Sequence, residues 1–502
     1  MASQTQPAIL LRGGTLLIHD DDNHVIPTHD DLLIEGSTIA KIGKDIQPPS
    51  GAKVIDCTGK IGSPGFISTH HHLFQTQLKG RHANHTLVPY LAPGSFIASL
   101  YTLEDTFWGE LSGALEAIDA GTTTVVDHTC VNNSPDYSRT AVQALITSGL
   151  RCIYCYCPPR TVSNWSPFTF GDDFQCSWMM ENFKTLAAQG PYGNGRVEIG
   201  FAHDGGFLPP EALISLHETV RAAPAKLITS HAVGGAMRGY APSAIQALDK
   251  HGVLGPDYVL SHADFPKEGD AEKLAKSGAS VSTTTNTELQ MGWPPVALEA
   301  EFYDHASLGI DCHSWGSASI VTQMNQLLQW KRCDRGKELD KEGKWGRSVG
   351  PSVEQVFNLG TIGGAKAVGI PDQIGKLKAG MKADILIFDG TSPAMLAAAE
   401  EDPVAAIVLH SSVRDIGSVI VDGVIRKEGG KMLDIIVADA FEEQQEVVKP
   451  GTSLSWKDVV QGVLESRTSL DGKVKNIDMR DAEEKIITGF HFNREGMVDY
   501  ND

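Results

Sequence analysis

The pattern of apolar and polar positions changes character along the chain. Up to about residue 61 it consists of short apolar runs separated by turns rich in Asp, Asn and Gly. Similar runs return late, in Asp384–Phe388, Val404–His410 and Ser418–Val424. Runs of this kind are typical of antiparallel strands. They predict a small β-sandwich domain to which both the N-terminal and the C-terminal segments contribute.

Between these two parts, strand-like and helix-like segments alternate. The predicted strands are Gly65–Thr69, Thr122–His128, Arg151–Cys157, Arg196–His203, Lys226–His231, Tyr258–His262, Ser280–Thr285 and Ser307–Cys312. Each is followed by a segment with helical spacing, including Phe174–Ala188 after the third strand and Val296–His305 after the seventh. Eight such units over roughly 310 residues predict an α/β fold, a (β/α)8 TIM barrel.

The predicted domain organisation has three parts. Residues 1–61 and 375–433 form the β-sandwich domain, residues 62–374 the TIM-barrel catalytic domain, and residues 434–502 a C-terminal extension. The extension is charged and only weakly periodic. It is interpreted as helices wrapping the outside of the molecule, with a partly disordered tail as the alternative.

The composition of the chain excludes some classes of binding partner but does not indicate which reaction the protein catalyses. A net charge of −20 argues against a nucleic-acid partner, because no net basic field recruits phosphates. No run of 18 apolar residues is present, so no membrane span is expected. The N-terminus lacks the pattern of a secretory signal. Eight scattered cysteines favour reduced thiols and a cytoplasmic location.

The most informative motif is His70-His71-His72, at the end of the first predicted barrel strand. Side chains alternate between the two faces of a strand, so His70 and His72 project together while His71 points back into the packing. Two imidazoles on one face form half of a metal site. A His-rich turn without a metal is the alternative.

Further polar residues lie where TIM barrels carry their chemistry, at the C-terminal ends of the strands. A single histidine there is more often a packed core residue than a ligand. Six histidines and an aspartate at strand ends are hard to explain by packing alone. They are His70, His72, His128, His203, His231, His262 and Asp311.

At this point the chain resembles the amidohydrolase superfamily, over nearly all of residues 9–435. The resemblance is closest to the branch of cytosine deaminases, atrazine-type chlorohydrolases and 8-oxoguanine-type deaminases. The motifs that carry it are Pro64–His72, Ala120–His128, Ser230-His231, Ser261-His262, Leu308–Asp311, Thr361–Gly369 and Ile374–Phe388.

The resemblance implies one divalent metal ion, preferably zinc with iron as the alternative, held by His70, His72, His231 and Asp311. His262 would polarise the attacking water or the substrate. A bound dication lowers the pKa of water, and the hydroxide formed would attack an electron-poor carbon while Asp311 takes the proton. No lysine ends the fourth strand, which favours one metal over two. The resemblance also implies a homo-oligomer, a dimer or a tetramer.

One catalytic feature of the deaminase branch is missing. Its members usually carry a glutamate three residues after the fifth-strand histidine, and this chain has Gly234 there. The candidate replacements at the rim are Glu288, His128 and His313. The hypothesis is that Glu288 or His128 transfers the proton, which makes both candidate catalytic residues with His262 and Asp311.

Substrate contacts are expected from the strand ends and from the long loop Thr76–Leu103. A loop that covers a barrel mouth with an arginine and aromatic residues suits a flat, polar or anionic small molecule. The alternatives are that this loop packs against a neighbouring subunit and that Trp293 merely starts a helix. The candidate substrate-binding residues are Gln75, Arg81, His203, His313 and Trp293.

The sequence therefore predicts a metal-dependent hydrolase that cleaves a non-peptide C–N bond of a small cyclic or heteroaromatic compound, by deamination or ring amide hydrolysis. The first alternative uses the same site for C–Cl or C–S hydrolysis or for non-oxidative decarboxylation. The second is a non-catalytic scaffold, which the presence of all four ligands disfavours.

Overall fold

The computed structural model of the chain describes residues 7–159, 161–171, 177–204, 208–442 and 445–499. Within these ranges the strands are β1 (Ile9–His19), β2 (Val25–Glu35), β3 (Thr38–Gly43), β4 (Lys53–Asp56), β5 (Lys60–Pro64), β6 (Phe66–His71), β7 (Thr122–Thr129), β8 (Arg151–Tyr156), β9 (Val162–Trp165), β10 (Phe168–Phe170), β11 (Val197–Ala202), β12 (Ile228–Ala232), β13 (Tyr258–His262), β14 (Ser280–Thr283), β15 (Ala306–Leu308), β16 (Ile385–Asp389), β17 (Ile416–Val421), β18 (Val424–Glu428), β19 (Lys431–Met432), β20 (Ile435–Ile436) and β21 (Ser453–Leu454).

The α-helices of the same ranges are α1 (Leu87–Tyr90), α2 (Leu103–Asp119), α3 (Pro135–Ser148), α4 (Ser177–Gln189), α5 (Pro210–Ala222), α6 (Ala244–Lys250), α7 (Asp270–Ser277), α8 (Thr285–Met291), α9 (Ile320–Lys341), α10 (Val353–Asn358), α11 (Gly364–Ala367), α12 (Ala398–Glu401), α13 (Pro403–Ala405), α14 (Trp456–Val474) and α15 (Met479–Gly489). None of these helices combines the length and the apolar character that crossing a bilayer would require.

Eight parallel strands form the predicted TIM barrel. Their order is β6-β7-β8-β11-β12-β13-β14-β15, and a bridge between His71 and Asp311 joins the last strand back to the first. Every residue of β7 is buried, because a parallel barrel strand is covered by the interior on one face and by helices on the other. The fold-class prediction is confirmed.

The predicted second domain is a mixed sheet of nine strands to which both parts of the chain contribute. β16 pairs with β5, so strands from beyond residue 384 continue the sheet of the first 64 residues. Alternate residues of β1, including Ile9 and Leu11, pack on Ile385 and Ile387 of β16 in one apolar cluster. The division of the chain into three domains at the stated boundaries stays a prediction.

The run Val404–His410 was predicted to be a strand, and this is wrong. It is helical, as α13 followed by a π-helical turn over Ala406–His410. The Asp402 side chain accepts hydrogen bonds from the backbone N–H groups of Val404 and Ala405. An N-cap aspartate followed by Pro403 is a strong helix start, and it overrides the β propensity of a short apolar run.

The helix after the seventh barrel strand also differs from its prediction. The structure has α8 directly after β14, and only a 3₁₀ turn at Tyr303–His305 within the predicted Val296–His305. Gly292, with φ 73°, ends α8, and residues 297–302 form turns and a bend in place of the predicted helix. The first residues of the helix predicted at Phe174–Ala188 lie outside the described residues, and α4 covers its remainder.

The sheet domain and the barrel are joined by a buried ion-pair cluster. The Arg151 guanidinium, at the start of β8, donates to Asp384 (2.9 and 3.3 Å) and to Asp422 (3.1 Å). All three side chains are at most 9% exposed. Removing one partner of such a cluster leaves a buried charge without compensation.

Replacing Arg151 by methionine is therefore expected to lower the free energy of unfolding by about 3 kcal/mol. A denaturant titration measures the loss. The matched control is Arg221→Met, because Arg221 pairs with Asp257 at 2.8 Å with both side chains about one-third exposed. That control should cost at most about 1 kcal/mol. Equal losses for the two variants would contradict the buried role of Arg151.

Candidate metal centre

Two of the four candidate ligands come from the end of β6. His70 lies in the strand and is fully buried, and His72 follows the strand at the start of a 3₁₀ helix over Leu73–Leu78. The Nδ1 of His72 donates to the His128 carbonyl oxygen at 2.6 Å, which leaves Nε2 as the free ring nitrogen. His71 points the other way, against His313. The alternation predicted for this motif is present.

The other two candidates come from distant strands and meet the first pair. His231 lies in β12, and Asp311 follows β15 by three residues. The Oδ1 of Asp311 is 3.3 Å from Nε2 of both His70 and His72, and Nε2 of His231 is 3.3 Å from that of His72. One ligand atom from each residue lies within 4.8 Å of the others. The four predicted ligands form one cluster.

The backbone that closes the barrel also holds this cluster. The carbonyl oxygen of His70 accepts the N–H groups of Ile310 and Asp311, each at 2.9 Å, and the N–H of His72 donates to the Asp311 carbonyl at 3.1 Å. Asp311 has φ 64°, a left-handed conformation that is uncommon outside glycine. Such strain persists only where surrounding contacts impose it, and it is common at functional sites.

A single divalent cation fits these residues. Within the described residues, Nδ1 of the buried His70 has no hydrogen-bond partner, and Nε2 has a long contact of 3.3 Å with Oδ1 of Asp311, so this buried imidazole is incompletely paired, which is costly. Three imidazoles and one carboxylate are a donor set for zinc or iron. A cation between them would satisfy Nε2 of His70 and the other clustered acceptors together.

The protonation states favour metal binding. Burial lowers the pKa of His70 well below its ordinary value, and burial also lowers that of His231. Burial alone would raise the pKa of Asp311, but hydrogen bonds from His70 and His72 hold it well below its usual range. Neutral imidazole and ionised carboxylate are the forms that bind a cation.

Asp204 is a site residue that was missed from the sequence. Its Oδ1 lies 2.8 Å from Nδ1 of His231 and so fixes the orientation of that ring, leaving Nε2 to face the other ligands. Such carboxylate–histidine contacts are usual behind metal ligands. Its position directly after His203, at the end of the fourth barrel strand, was the available signal.

His262 and Glu288 form a pair beside the ligands. The His262 ring stacks on that of His231 and meets the edge of Trp293 at 5.5 Å. Oε1 of Glu288 lies 3.5 Å from Nδ1 of His262, and Glu288 is fully buried on α8. Burial would lower the pKa of His262, but the Glu288 hydrogen bond and the Asp311 charge raise it.

His128 lies within the same group of imidazoles. Its ring centroid is 4.5 Å from that of His231 and 5.2 Å from that of His72. Its Nδ1 is buried and has no hydrogen-bond partner in the part of the chain that the structure describes, and burial holds its pKa well below the ordinary value. His128 is therefore a neutral imidazole next to the predicted ligands.

The carboxyl group of Asp264, also missed from the sequence, lies next to Gly234, the position at which the deaminase branch usually carries a glutamate. Asp264, two residues beyond His262, accepts the N–H of Gly234 at 3.2 Å, and it is 3% exposed. Burial raises its pKa to about 7. The loop after β12 therefore has a carboxyl group next to residue 234, supplied by the neighbouring strand.

Three of the predicted substrate-binding residues have partners outside the ligand cluster. His203 contacts the Tyr258 hydroxyl at 2.8 Å. His313 lies between the His71 ring and Thr76 Oγ1, each at 3.0 Å. Arg81 pairs with Asp471 of α14 at 2.5 Å. Their assignment to substrate binding stays a prediction.

Gln75 belongs to an aromatic group in the loop after β6. Its amide donates to the Tyr90 hydroxyl at 2.6 Å, and the Tyr90 ring contacts those of Trp315 and His82 at 4.6 and 5.0 Å. This group is covered from outside by α15, whose Ile486 lies in the same apolar cluster as Tyr90. The long loop is thus held by the C-terminal part of the chain.

The segment after α15 also holds the loop that follows His231. The N–H of Asn493 donates to the Met237 carbonyl at 2.9 Å, and the Arg238 guanidinium donates to the Phe490 carbonyl at 3.1 Å. Arg238 also lies over the Phe492 ring at 5.8 Å. Residues 479–496 therefore contact two of the loops that follow barrel strands.

Two deaminases are similar to this chain over most of its length. A 5′-deoxyadenosine deaminase of Methanobrevibacter smithii is 24% identical over 429 residues, covering 83% of this chain and 93% of its own. A 5-methylthioadenosine/S-adenosylhomocysteine deaminase of Desulforamulus reducens is 25% identical over 449 residues, covering 87% and 96%.

The fold likewise matches a solved structure, a mutant of atrazine chlorohydrolase TrzN from Arthrobacter aurescens TC1 complexed with zinc and atraton. The TM-score is 0.73 at 20% identity, covering 92% of this chain and 99% of that one. The model of the Amidohydrolase family matches residues 61–426, which include all four candidate ligands. The chain therefore belongs to the amidohydrolase family.

Proposed function

We propose that this chain is a metal-dependent deaminase that hydrolyses the exocyclic C–N bond of an adenine-type nucleoside. The observation that carries the proposal is the cluster of His70, His72, His231 and Asp311, in which all but His231 are buried. The two deaminases named above, aligned over 83% and 87% of this chain, support an adenosine modified at the 5′ position as the substrate. Membership of the family makes the chain a hydrolase of non-peptide C–N bonds.

The proposed metal is zinc, with iron as the alternative. Three histidines and one carboxylate suit zinc, and the TrzN structure that shares the fold was determined with zinc. When bound, the cation would supply Lewis acidity and bring the deprotonation of water into the neutral pH range. The remaining chemistry belongs to side chains of this chain.

Two of those side chains, Asp311 and His262, have separate roles in proton transfer. Asp311 stays ionised at neutral pH and accepts a proton from the attacking water. His262 holds a proton next to Glu288, and its Nδ1 contact with Thr284 Oγ1 at 3.0 Å leaves Nε2 for the substrate. Trp293, in contact with the His262 ring, is proposed to pack on the face of the base.

A reducing compartment, the cytoplasm, is the proposed location. The seven cysteines within the described ranges are all free thiols, and six of them are buried. Free thiols persist where glutathione and thioredoxin keep them reduced. The eighth, Cys176, lies outside the described residues.

The test is a product analysis with purified, zinc-loaded protein. 5′-Deoxyadenosine, 5-methylthioadenosine, S-adenosylhomocysteine and adenosine are supplied separately, and ammonia and the product mass are followed together. One ammonia per nucleoside, with an amino group replaced by a hydroxyl group, is the expected result. Intact nucleosides would refute the substrate class.

A second candidate function is displacement of chloride or a thioether at the same site. The observation that favours it is Gly234, which provides no carboxylate at the position where deaminases of this branch carry one. Chloro- and methylthio-triazines in the same assay separate the two functions. Release of chloride or thiol without ammonia would support the second function over the first.

A further inference from the structure

The C-terminal helix α14 has one buried and one exposed face. Its buried residues, Val459, Gly462, Ser466 and Leu470, face the protein. Leu470 lies in the apolar cluster under the loop after β6, and Ser466 donates to Asp105 of α2 at 2.5 Å. One side of α14 is thus fully used in anchoring the helix to the barrel.

The opposite side of α14 is more apolar than a solvated face requires. Trp456 is 48% exposed, Val460 37% and Leu464 57%. Residues four positions apart on a helix are neighbours, so the three side chains form one stripe. The strand pair β20–β21, directly before the helix, adds Ile436 at 58% exposure. A contiguous exposed apolar stripe commonly marks an interaction surface.

The charges on this helix make the stripe suitable for a second copy of the same chain. The protein carries a net charge of −20, so two copies repel each other over most of their surfaces. Within α14 the formal charge is zero, from three basic and three acidic residues. Lys457 and Glu465 flank the stripe, and neither forms an ion pair within the described part of the chain.

We propose that α14 packs antiparallel against α14 of a second copy, across a two-fold axis near Gln461. This proposal goes beyond the proposed function and does not depend on it. In this arrangement Val460 lies beside the partner's Leu464, and Lys457 lies opposite the partner's Glu465. The two-fold axis repeats both contacts, as a self-complementary dimer interface requires.

A stable dimer needs more apolar surface than the crossing of two helices alone provides. A stable interface buries roughly 800 Å² on each partner, which is more than one helix face provides. Ile436, at 58% exposure, pairs with Ser453 just before the start of α14 and extends the apolar surface. The acidic remainder of the chain disfavours further association, so the expected assembly is a dimer.

The experiment measures the dissociation constant of the full-length, metal-loaded protein by sedimentation velocity over a concentration series. The unchanged chain is expected to be a dimer. Leu464→Glu is expected to raise the dissociation constant about 100-fold, because a charge replaces an apolar contact twice. Leu396→Glu is the matched control, an exposed leucine (62%) outside α14 that should leave the dimer intact.

A charge exchange tests the antiparallel geometry itself. Lys457→Glu and Glu465→Lys should each weaken the dimer about tenfold, since each places like charges opposite one another. Combining both substitutions in one chain should restore the original dissociation constant. A monomeric unchanged chain, an intact Leu464→Glu dimer, or a doubly exchanged chain no tighter than the single variants would each overturn the proposal.

Discussion

Replacing Asp311 by asparagine is expected to lower turnover by about 10³-fold or more, because the site loses both a ligand charge and a proton acceptor. The amide has the same shape as the carboxylate and can still accept a hydrogen bond from His70 or His72. Folding should therefore survive. What disappears is the negative charge that the low pKa of Asp311 maintains at neutral pH.

Metal affinity should fall with the activity. Mutation of groups behind a metal ligand already costs about 10- to 100-fold in affinity, so losing a ligand charge should cost more than about 100-fold. Competition with a chromogenic chelator measures the affinity, and the ammonia assay measures turnover. Thermal unfolding of the chelator-treated protein verifies that the variant is folded.

Asp257→Asn is the matched control for Asp311→Asn. Asp257 immediately precedes β13, at the amino end of the barrel, and pairs with Arg221 at 2.8 Å. This variant should keep its metal and its turnover. Full metal content and near-normal turnover in Asp311→Asn would remove Asp311 from both of its proposed roles.

Replacing Glu288 by glutamine is expected to lower turnover about 10²-fold while leaving the metal content unchanged. Glu288 is not one of the four candidate ligands, and its Oε1 lies 3.5 Å from Nδ1 of His262. It acts on His262, whose pKa would be lowered by burial but is raised by the hydrogen bond with Glu288 and by the charge of Asp311. The amide keeps the shape of the side chain and removes its charge.

The substitution is also expected to shift the pH–rate profile in a defined direction. Removing a contact that raises a pKa must lower that pKa, so the limb of the pH–rate profile that reports His262 should move to lower pH in Glu288→Gln. The control is Glu299→Gln, at a partly exposed glutamate that pairs with Lys331 at 2.7 Å. Lower turnover with an unshifted profile would make Glu288 a structural residue only.

Part of the candidate metal site follows from local signals in the sequence. Side-chain alternation along a strand places His70 and His72 on one face, and every parallel barrel strand ends at the same rim. The choice of His231 and Asp311 from the other strand-end residues rests on the resemblance to the amidohydrolase superfamily, and the structure brings the four side chains together. The helix start at Asp402 is also a local signal, but the β propensity of the apolar run after it predicts a strand there, which is wrong.

Asp204 and Asp264 could not be predicted in the same way. Their importance lies in contacts with His231 and Gly234, on a neighbouring strand end and the loop after it. A carboxylate after a strand is common, and the sequence does not show which backbone or ring it meets. The partners of Arg81 and His313 are hidden from the sequence for the same reason.

The contacts of residues 479–496 have a consequence for biosynthesis. A ribosome makes these residues after every barrel strand and all four ligands, so a nascent chain can close its barrel while the loop behind His231 still lacks Asn493 and Phe490. The contacts that support this part of the barrel mouth can therefore form only after residues 479–496 have been made. A prematurely terminated chain would have the complete ligand set and an unsupported entrance.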